Sequence, residues 1–111
     1  MGLADIASIP RTAEELKKWS FCHMASHRDI NRLIQVKYRV HLPEFILDPI
    51  DPKNSQVWEY QHQLMHTNQN QILNIAGNDL LGVDWSNEAL VESWLFLHMP
   101  EHQQAHTILK I

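Results

Sequence analysis

The chain has 111 residues, 44% of them hydrophobic and 20% charged, and a formal net charge of −4. These values are typical of one soluble globular domain, and only three glycines argue against turn-rich β architecture, so we expect a single helical domain over residues 1–111. The single cysteine, Cys22, excludes an internal disulfide and a cysteine-rich zinc module. No signal peptide is predicted, and no apolar run approaches the roughly 20 residues that a membrane span needs.

The first part of the chain predicts an arm, a helix and a connector. Residues 1–11 form an N-terminal arm that we expect to be extended or to lie on a neighbouring molecule. Thr12-Ala13-Glu14-Glu15 has the form of a capping box, so helix one is predicted over residues 12–40. Residues 41–53 contain Pro43, Pro49 and Pro52 and predict a connector, whose apolar side chains pack back on the bundle or reach a partner.

The second part predicts two more helices. Helix two is expected over residues 54–76, capped by Asp51-Pro52 or Ser55 and stopped by Gly77 in the left-handed conformation. After a loop over residues 77–85, helix three is expected over residues 86–111, with a kink or break at Pro100. The predicted fold is an all-α three-helix bundle. Its helices are either antiparallel or joined by a crossover, since the connector is long enough for both.

One pattern occurs in each predicted helix: Trp, any residue, Phe or Tyr, any residue, His, three residues, His. Positions four residues apart advance only about 40° around a helix, so the Trp and His side chains share one stripe, which we predict to be buried. The predicted repeat core contains Trp19, His23, His27, Asn31, Trp58, His62, His66, Asn70, Trp94, His98, His102 and His106.

The repeated histidines permit three interpretations. The favoured one is a core without metal, in which the imidazoles hydrogen-bond to one another, to Asn31 and Asn70, or to indole N–H groups. The second is a metal site, because His-x3-His lets one helix supply two ligands. Against it, Glu101 is the only carboxylate near a stripe and Pro100 interrupts the third pair. The third is a pH switch made of buried neutral imidazoles.

A second surface is predicted outside the buried stripe. The repeated Phe or Tyr lies about 200° from the Trp in all three helices, which favours contacts with another subunit or with the connector. Residues 1–40 carry a net charge of +3 and residues 41–111 a net charge of −7. This asymmetry favours contact between copies of the chain or with a charged partner, or else reflects two solvated helix faces. It is not typical of a general nucleic-acid-binding protein. The candidate interaction surface contains Phe21, Tyr60, Phe96, Phe45, Arg28, Arg32 and Arg39.

An enzymatic function is not expected. Cys22 and His23 are neighbours in a helix and point about 100° apart, so they do not form a thiolate–imidazole pair. The sequence has no serine-containing nucleophile elbow and no glycine-rich phosphate loop. We therefore expect no catalytic residue and no cofactor.

One set of residues in the chain resembles the sequences of a known group of proteins. The residues are Trp58, His62-Gln63, His66, Asn70, Leu73, Gly77, Asp79-Leu80, Val83-Asp84-Trp85, Trp94, Glu101-His102 and Leu109-Lys110-Ile111. They are similar to small morphogenesis and virion proteins of tailed bacteriophages. The resemblance assigns no functional residue to this chain.

The resemblance implies a structural or assembly protein at the neck, tail or fibre attachment of a phage particle. It would be assembled in the host cytoplasm, in contact with copies of itself or other virion proteins and without nucleic acid or membrane. The alternatives are a metal-binding helical bundle and a small phage regulator of a host protein.

Overall fold

A computed structural model describes residues 3–45, 47 and 49–111. Within these residues the fold class is all-helical, with helices joined by irregular connections. No strand occurs in this part of the chain. Its four helices, one more than predicted, are α1 (Ala4–Ala7), α2 (Ala13–Tyr38), α3 (Gln56–Leu73) and α4 (Glu88–Leu109). None of the helices in the described ranges is long and apolar enough to span a membrane.

The additional helix, α1, lies in the predicted N-terminal arm. Ile6 is buried, and the indole Nε1 of Trp19 donates a hydrogen bond to the Ile6 carbonyl at 2.9 Å. This part of the arm is therefore helical and packed on its own chain, which differs from the expected extended arm or contact with a neighbour. Met1 and Gly2 lie outside the described residues.

The long helices begin close to the predicted positions. The backbone N–H of Glu15 donates to Thr12 Oγ1 at 3.1 Å, as the capping sequence predicts. Ser55 precedes α3 but donates its hydroxyl to Glu59 Oε2 at 2.9 Å instead of capping the helix. Asn87 caps α4 by accepting from the N–H of Leu90 at 3.3 Å, so the helix begins slightly later than the predicted start at residue 86.

The three long helices all end on a left-handed residue that is not glycine. Arg39, Asn74 and Lys110 have φ values of 54°, 57° and 59°. The prediction that Gly77 stops helix two is wrong, because α3 ends at Leu73 and Asn74 takes the left-handed conformation. Gly77 instead lies close to Asn70: a Cβ there would be 3.0 Å from Asn70 Nδ2, so a larger residue would require the Asn70 side chain to shift by a few tenths of an ångström.

Pro100 lies within α4 and does not end it. The helix is continuous from Glu88 to Leu109, and Pro100 itself is exposed. A break at Pro100 is therefore wrong, and a kink there stays a prediction. His98 and His102, which flank the proline, remain on the same helix and both turn inward.

The three long helices run in the same direction. Trp19, Trp58 and Trp94 contact one another with ring centroids 5.8–6.4 Å apart, the first histidines lie at 4.7–5.1 Å, and the second histidines at 4.6–5.0 Å. Along all three helices, the tryptophan layer is followed by the first and then the second histidine layer. This common order requires the helices to be parallel. Of the two arrangements left open by the sequence, the crossover is the one observed.

Both connections return along the bundle and bury apolar side chains on the way. Leu42 and Ile75 lie near the helix C-termini, in an aliphatic cluster with Ile34, Leu73 and Leu109. Further along, the connections reach the tryptophan cluster, where Leu47, Ile50, Leu80 and Trp85 are buried and Phe45 packs against them. The first connector thus packs back on the bundle, as one of its two predicted alternatives states. Ile46 of that connector lies outside the described residues.

We expect Arg39→Gly to stabilise the chain. Arg39 is exposed and left-handed, and a side chain in that conformation costs about 1 kcal/mol or more. Allowing for the larger entropy of an unfolded chain with glycine, the net gain in unfolding free energy is about 0.5–1 kcal/mol. Urea denaturation measures this change. Arg39→Ala is the matched control, because it removes the charge and keeps the strain; equal stabilisation by both variants would contradict the explanation.

Candidate metal centre

Six histidines converge between the tryptophan cluster and the aliphatic cluster. The structure brings together His23 and His27 from α2, His62 and His66 from α3, and His98 and His102 from α4, and one nitrogen from each lies within 4.8 Å of all the others. All six residues are at most 2% exposed. They form two layers: an upper triad (His23, His62, His98) next to the tryptophans, and a lower triad (His27, His66, His102) one helical turn further on.

Each imidazole of the upper triad is stacked on the tryptophan one turn before it. The ring centroids are 4.5 Å apart for Trp19 and His23, 4.6 Å for Trp58 and His62, and 4.4 Å for Trp94 and His98, with interplanar angles of 13–14°. The spacing of four residues produces this stacking, because such side chains are neighbours on a helix surface. The indoles thereby hold the orientation of all three upper rings.

Trp85 closes the tryptophan end of the site. It contacts Trp19, Trp58 and Trp94 with ring centroids 5.2–5.9 Å away, and it is 8% exposed. The indoles of Trp19 and Trp94 donate to the backbone carbonyls of Ile6 and Leu80, both at 2.9 Å. These indoles donate to carbonyls rather than to the histidines, which differs from the hydrogen-bonded core predicted from the sequence.

Each imidazole of the lower triad contacts a polar side chain of the next helix through Nδ1. His27 Nδ1 lies 3.0 Å from Gln69 Oε1 on α3, and His66 Nδ1 lies 3.1 Å from Glu101 Oε1 on α4. His102 Nδ1 lies 3.0 Å from Ser26 Oγ on α2. The amide and carboxylate oxygens only accept, so the proton of His27 and of His66 lies on Nδ1 and their Nε2 lone pairs are directed inward. Ser26 Oγ is able to accept from His102 Nδ1 in the same way, and this is the usual outer arrangement around metal-bound histidine.

Glu101 is a buried carboxylate with three polar partners. Besides His66, it accepts from the Asn70 side-chain amide and from the backbone N–H of Asn78 at 3.2 Å, and it is 2% exposed. Burial raises the pKa of its carboxyl, but His66, Asn70 and Asn78 outweigh burial and lower the pKa overall. The carboxylate is therefore ionised at neutral pH, directly behind one imidazole of the cluster.

Hydrogen bonds do not account for the way the imidazole nitrogens meet. His23 Nε2 lies 3.0 Å from Nε2 of His27, 3.0 Å from Nε2 of His98 and 3.1 Å from Nε2 of His62. A ring nitrogen has either one N–H or one lone pair, so at most one of these three contacts is a hydrogen bond. His66 Nε2 and His102 Nε2 are buried without a hydrogen-bond partner among the described residues.

Such an arrangement suits a cation. A metal ion at the centre accepts one lone pair from every Nε2 at once, whereas protons would leave buried nitrogens unpaired at a cost of about 1–3 kcal/mol each. In the upper triad, the Nδ1 atoms of His62 and His98 have no partner within the described part of the chain, and an ion bound through Nε2 would leave them unpaired. The chemistry of the donor set is therefore that of an imidazole-lined site for a transition-metal ion.

The burial of the cluster keeps five of its imidazoles neutral in the metal-free chain. Desolvation lowers the pKa well below 6.5 for His23, His27, His62, His98 and His102, and repulsion from neighbouring histidines lowers it further. Neutral imidazole is the form that binds metal, so no proton has to leave these groups at neutral pH before an ion binds.

The remaining residues of the predicted repeat core lie outside the cluster. Asn31 accepts from Gln69 Nε2 at 2.6 Å, and Asn70 contacts Glu101. The expected hydrogen bonds from these asparagines to imidazoles are therefore not observed. His106 is partly buried, and its Nε2 lies 2.9 Å from Ser26 Oγ. The sequence reasoning missed Gln69 and Ser26, whose contacts depend on the parallel direction of the helices.

The predicted interaction residues lie mostly at the surface. Phe21, Tyr60 and Phe96 are 68%, 62% and 81% exposed, one on each long helix. Phe45 is partly buried against the core. The exposed Arg28, Arg32 and Arg39 lie on or at the end of α2, with Arg28 3.9 Å from Glu44 and Arg32 3.6 Å from Asp29.

Comparison of the chain with protein-family models, with curated proteins and with solved structures found no match in any of the three.

We expect the metal-free chain to lose stability as the pH falls below about 6.5. There the unfolded chain binds protons on histidines that stay neutral in the folded chain, so protonation favours unfolding. The loss reaches about 1.4 kcal/mol per pH unit for each such histidine until the lower folded pKa is reached. Urea denaturation of the metal-stripped protein between about pH 8 and pH 5 measures it. A stability that stays constant over this range would contradict the burial of neutral imidazoles.

Proposed function

We propose that this chain is a metal-binding protein that holds one divalent first-row transition-metal ion in its six-histidine cluster. The observation that carries the proposal is the convergence of buried Nε2 atoms around one point, with three of them within 3.1 Å of His23 Nε2. Nitrogen lone pairs repel one another at this distance unless a proton or a cation lies between them.

Two further features support the proposal. The lower triad has an outer shell of Gln69, Glu101 and Ser26, and such partners orient metal-bound imidazoles and raise their basicity. Glu101 also supplies a negative charge, and a buried carboxylate is costly without a nearby cation. An ion at the centre of the cluster offsets that cost.

In this proposal the ion has a structural role. It joins side chains from α2, α3 and α4, which we propose to form a three-helix bundle of three divergent copies of one helical unit. Burial between Trp85 and the aliphatic cluster gives water and substrates no path to the ion among the described residues. Catalytic metal sites keep an open position for a substrate or water, so this centre is better suited to holding helices together.

Metal binding is expected to stabilise the folded chain strongly. Protein purified without a histidine tag should bind one equivalent of Ni²⁺, and free metal at a thousand times the Kd should raise the unfolding free energy by about 4 kcal/mol. Elemental analysis measures the stoichiometry, and thermal unfolding with and without metal measures the stabilisation. Binding of no metal, or binding without a change in Tm, would sink the proposal.

Two substitutions locate the ion. His62→Ala removes a fully buried member of the cluster and should weaken Ni²⁺ binding by at least about tenfold. His41→Ala is the matched control, because His41 is exposed and lies outside the cluster, and it should bind as the unchanged chain does. Circular dichroism of both metal-free variants shows whether they retain their helices.

Exposed aromatic side chains favour a second function, in protein–protein contacts. Phe21, Tyr60 and Phe96 are large apolar groups that solvent reaches, one on each long helix. With the resemblance to phage morphogenesis proteins, they support the proposal of a non-enzymatic structural or assembly protein of a tailed-phage particle. Its partners would be copies of itself or other virion proteins. The two functions are compatible, since a metal-stabilised bundle is a rigid platform for contacts.

Phe96→Ser tests the second function. If this surface binds copies of the chain, sedimentation should show a smaller assembly for Phe96→Ser at a concentration where the unchanged chain associates. Gln103→Ser, an exposed substitution on the same helix, is the control. A virion role would be contradicted if the unchanged chain were monomeric and mass spectrometry did not detect it in purified phage particles. If it were absent from particles but bound a host protein, a regulator would be favoured instead.

A further inference from the structure

The contacts among the six imidazoles have the connectivity of an octahedron. Each ring contacts every other ring of the cluster except one, with centroids 4.4–5.2 Å apart. The pairs without ring contact are His23 with His66, His27 with His98, and His62 with His102. Each of these pairs joins the upper triad to the lower triad across two different helices. In an octahedron, likewise, each vertex neighbours all others except the one opposite.

This connectivity follows from the helices. Consecutive histidines on one helix, such as His23 and His27, are separated by a full turn plus about 40°, so the lower triad is rotated relative to the upper triad. Two parallel triangles rotated in this way form an antiprism, whose regular form is the octahedron. Directly superimposed triangles would form a prism, in which each vertex has fewer neighbours than the contacts observed here.

The three nitrogen distances around His23 are compatible with the same geometry. The Nε2 atoms of His27, His98 and His62 lie 3.0, 3.0 and 3.1 Å from Nε2 of His23. An octahedron with such edges has its centre about 2.1–2.2 Å from every vertex, a normal metal–imidazole bond length. A tetrahedron with the same edges has its centre only about 1.8–1.9 Å away, which is shorter than the roughly 2.0–2.1 Å of zinc–imidazole bonds.

We infer that the centre selects a divalent ion that accepts six imidazole nitrogens in an octahedron, namely Fe²⁺, Co²⁺ or Ni²⁺, over Zn²⁺ and Cu²⁺. The inference rests on the proposed function and adds the coordination number and the class of ion. Structural Zn²⁺ is almost always tetrahedral and would leave two buried imidazoles without a partner. Cu²⁺ prefers tetragonal sites with unequal ligand distances, whereas the three nitrogens next to His23 Nε2 lie at nearly the same distance, 3.0–3.1 Å.

Other common divalent ions fit the donor set less well. Mg²⁺ and Ca²⁺ take oxygen ligands, and none of the six converging atoms is an oxygen. Mn²⁺ stands at the weak end of the affinity series for divalent first-row ions. Glu101 does not change this preference, because its carboxylate contacts His66 Nδ1 on the side away from the converging nitrogens.

A competition experiment tests the inference on the unmodified, tag-free chain. Metal-stripped protein is dialysed against equal concentrations of Ni²⁺ and Zn²⁺, and the bound metals are measured by elemental analysis. We expect nickel to exceed zinc by at least tenfold. Equal amounts, or an excess of zinc, would overturn the octahedral selectivity and leave the proposed metal-binding function in place. Binding of neither metal would overturn both.

The absorption spectrum of bound Co²⁺ gives a second and independent measure of the coordination number. Six-coordinate Co²⁺ has weak d–d bands, and four-coordinate Co²⁺ has intense ones. Weak bands from one bound equivalent are expected. Intense bands would show a tetrahedral site and contradict the inference, again without contradicting metal binding itself.

Single substitutions of the six histidines by alanine complete the test. In a six-coordinate site, each of the six variants should lower Ni²⁺ affinity by at least tenfold, whereas a four-coordinate site would leave two variants unaffected. His41→Ala is the matched control, since His41 is exposed and lies outside the cluster. Variants are compared only where circular dichroism shows native helix content. The competition and cobalt measurements use the unmodified chain, so they do not depend on the folding of any variant.

Discussion

Six imidazole nitrogens meet inside three helices, and most other features of the fold follow from this meeting. Nitrogens from α2, α3 and α4 reach one point only if the helices place their histidines at the same level. Because each helix carries its tryptophan before its histidines and the three tryptophans meet on the same side of the cluster, the helices are parallel. The parallel direction in turn requires two connections that return along the bundle, and these connections supply Leu42, Ile75 and Trp85 to the core.

The surroundings of the cluster differ on its two sides, and each side controls the imidazoles in its own way. Next to the upper triad, stacked indoles hold the rings by van der Waals contact and exclude water. Behind the lower triad, an amide, a carboxylate and a hydroxyl hold the rings by directed polar contacts, each from the next helix. The three lower imidazoles thus have the same kind of outer contact, but Gln69, Glu101 and Ser26 make these contacts chemically different.

Much of the helical structure was predictable from the sequence, because it depends on local signals. The capping residues around Thr12, the prolines of the connector and the regular spacing of Trp and His placed the long helices to within a few residues. The same spacing identified the buried stripe. Pro100 misled the prediction, since its ring lies on the exposed face of α4 and the flanking histidines still point inward.

The site itself was predictable only in part. Two histidines per helix were visible as a ligand pattern, and their position near the middle of each helix lets all six meet with either helix direction. The contacts around them do depend on that direction, which the long connectors leave undetermined. Gln69 and Ser26 gave no signal, because a single polar residue on a helix is common and its partner lies on another helix. Glu101 was noticed as the one carboxylate near the stripe, although its contact with His66 could not be foreseen.

The two return connections also affect the order in which the chain folds. In an antiparallel bundle with short loops, neighbouring helices form contacts between residues close in sequence; here histidine partners such as His23 and His62 are separated by a full helix and a connector. Closing such long loops costs chain entropy before the contacts repay it, so parallel bundles have high contact order and fold slowly. The complete set of nitrogens exists only after α4 docks, which makes formation of the cluster a late event in folding.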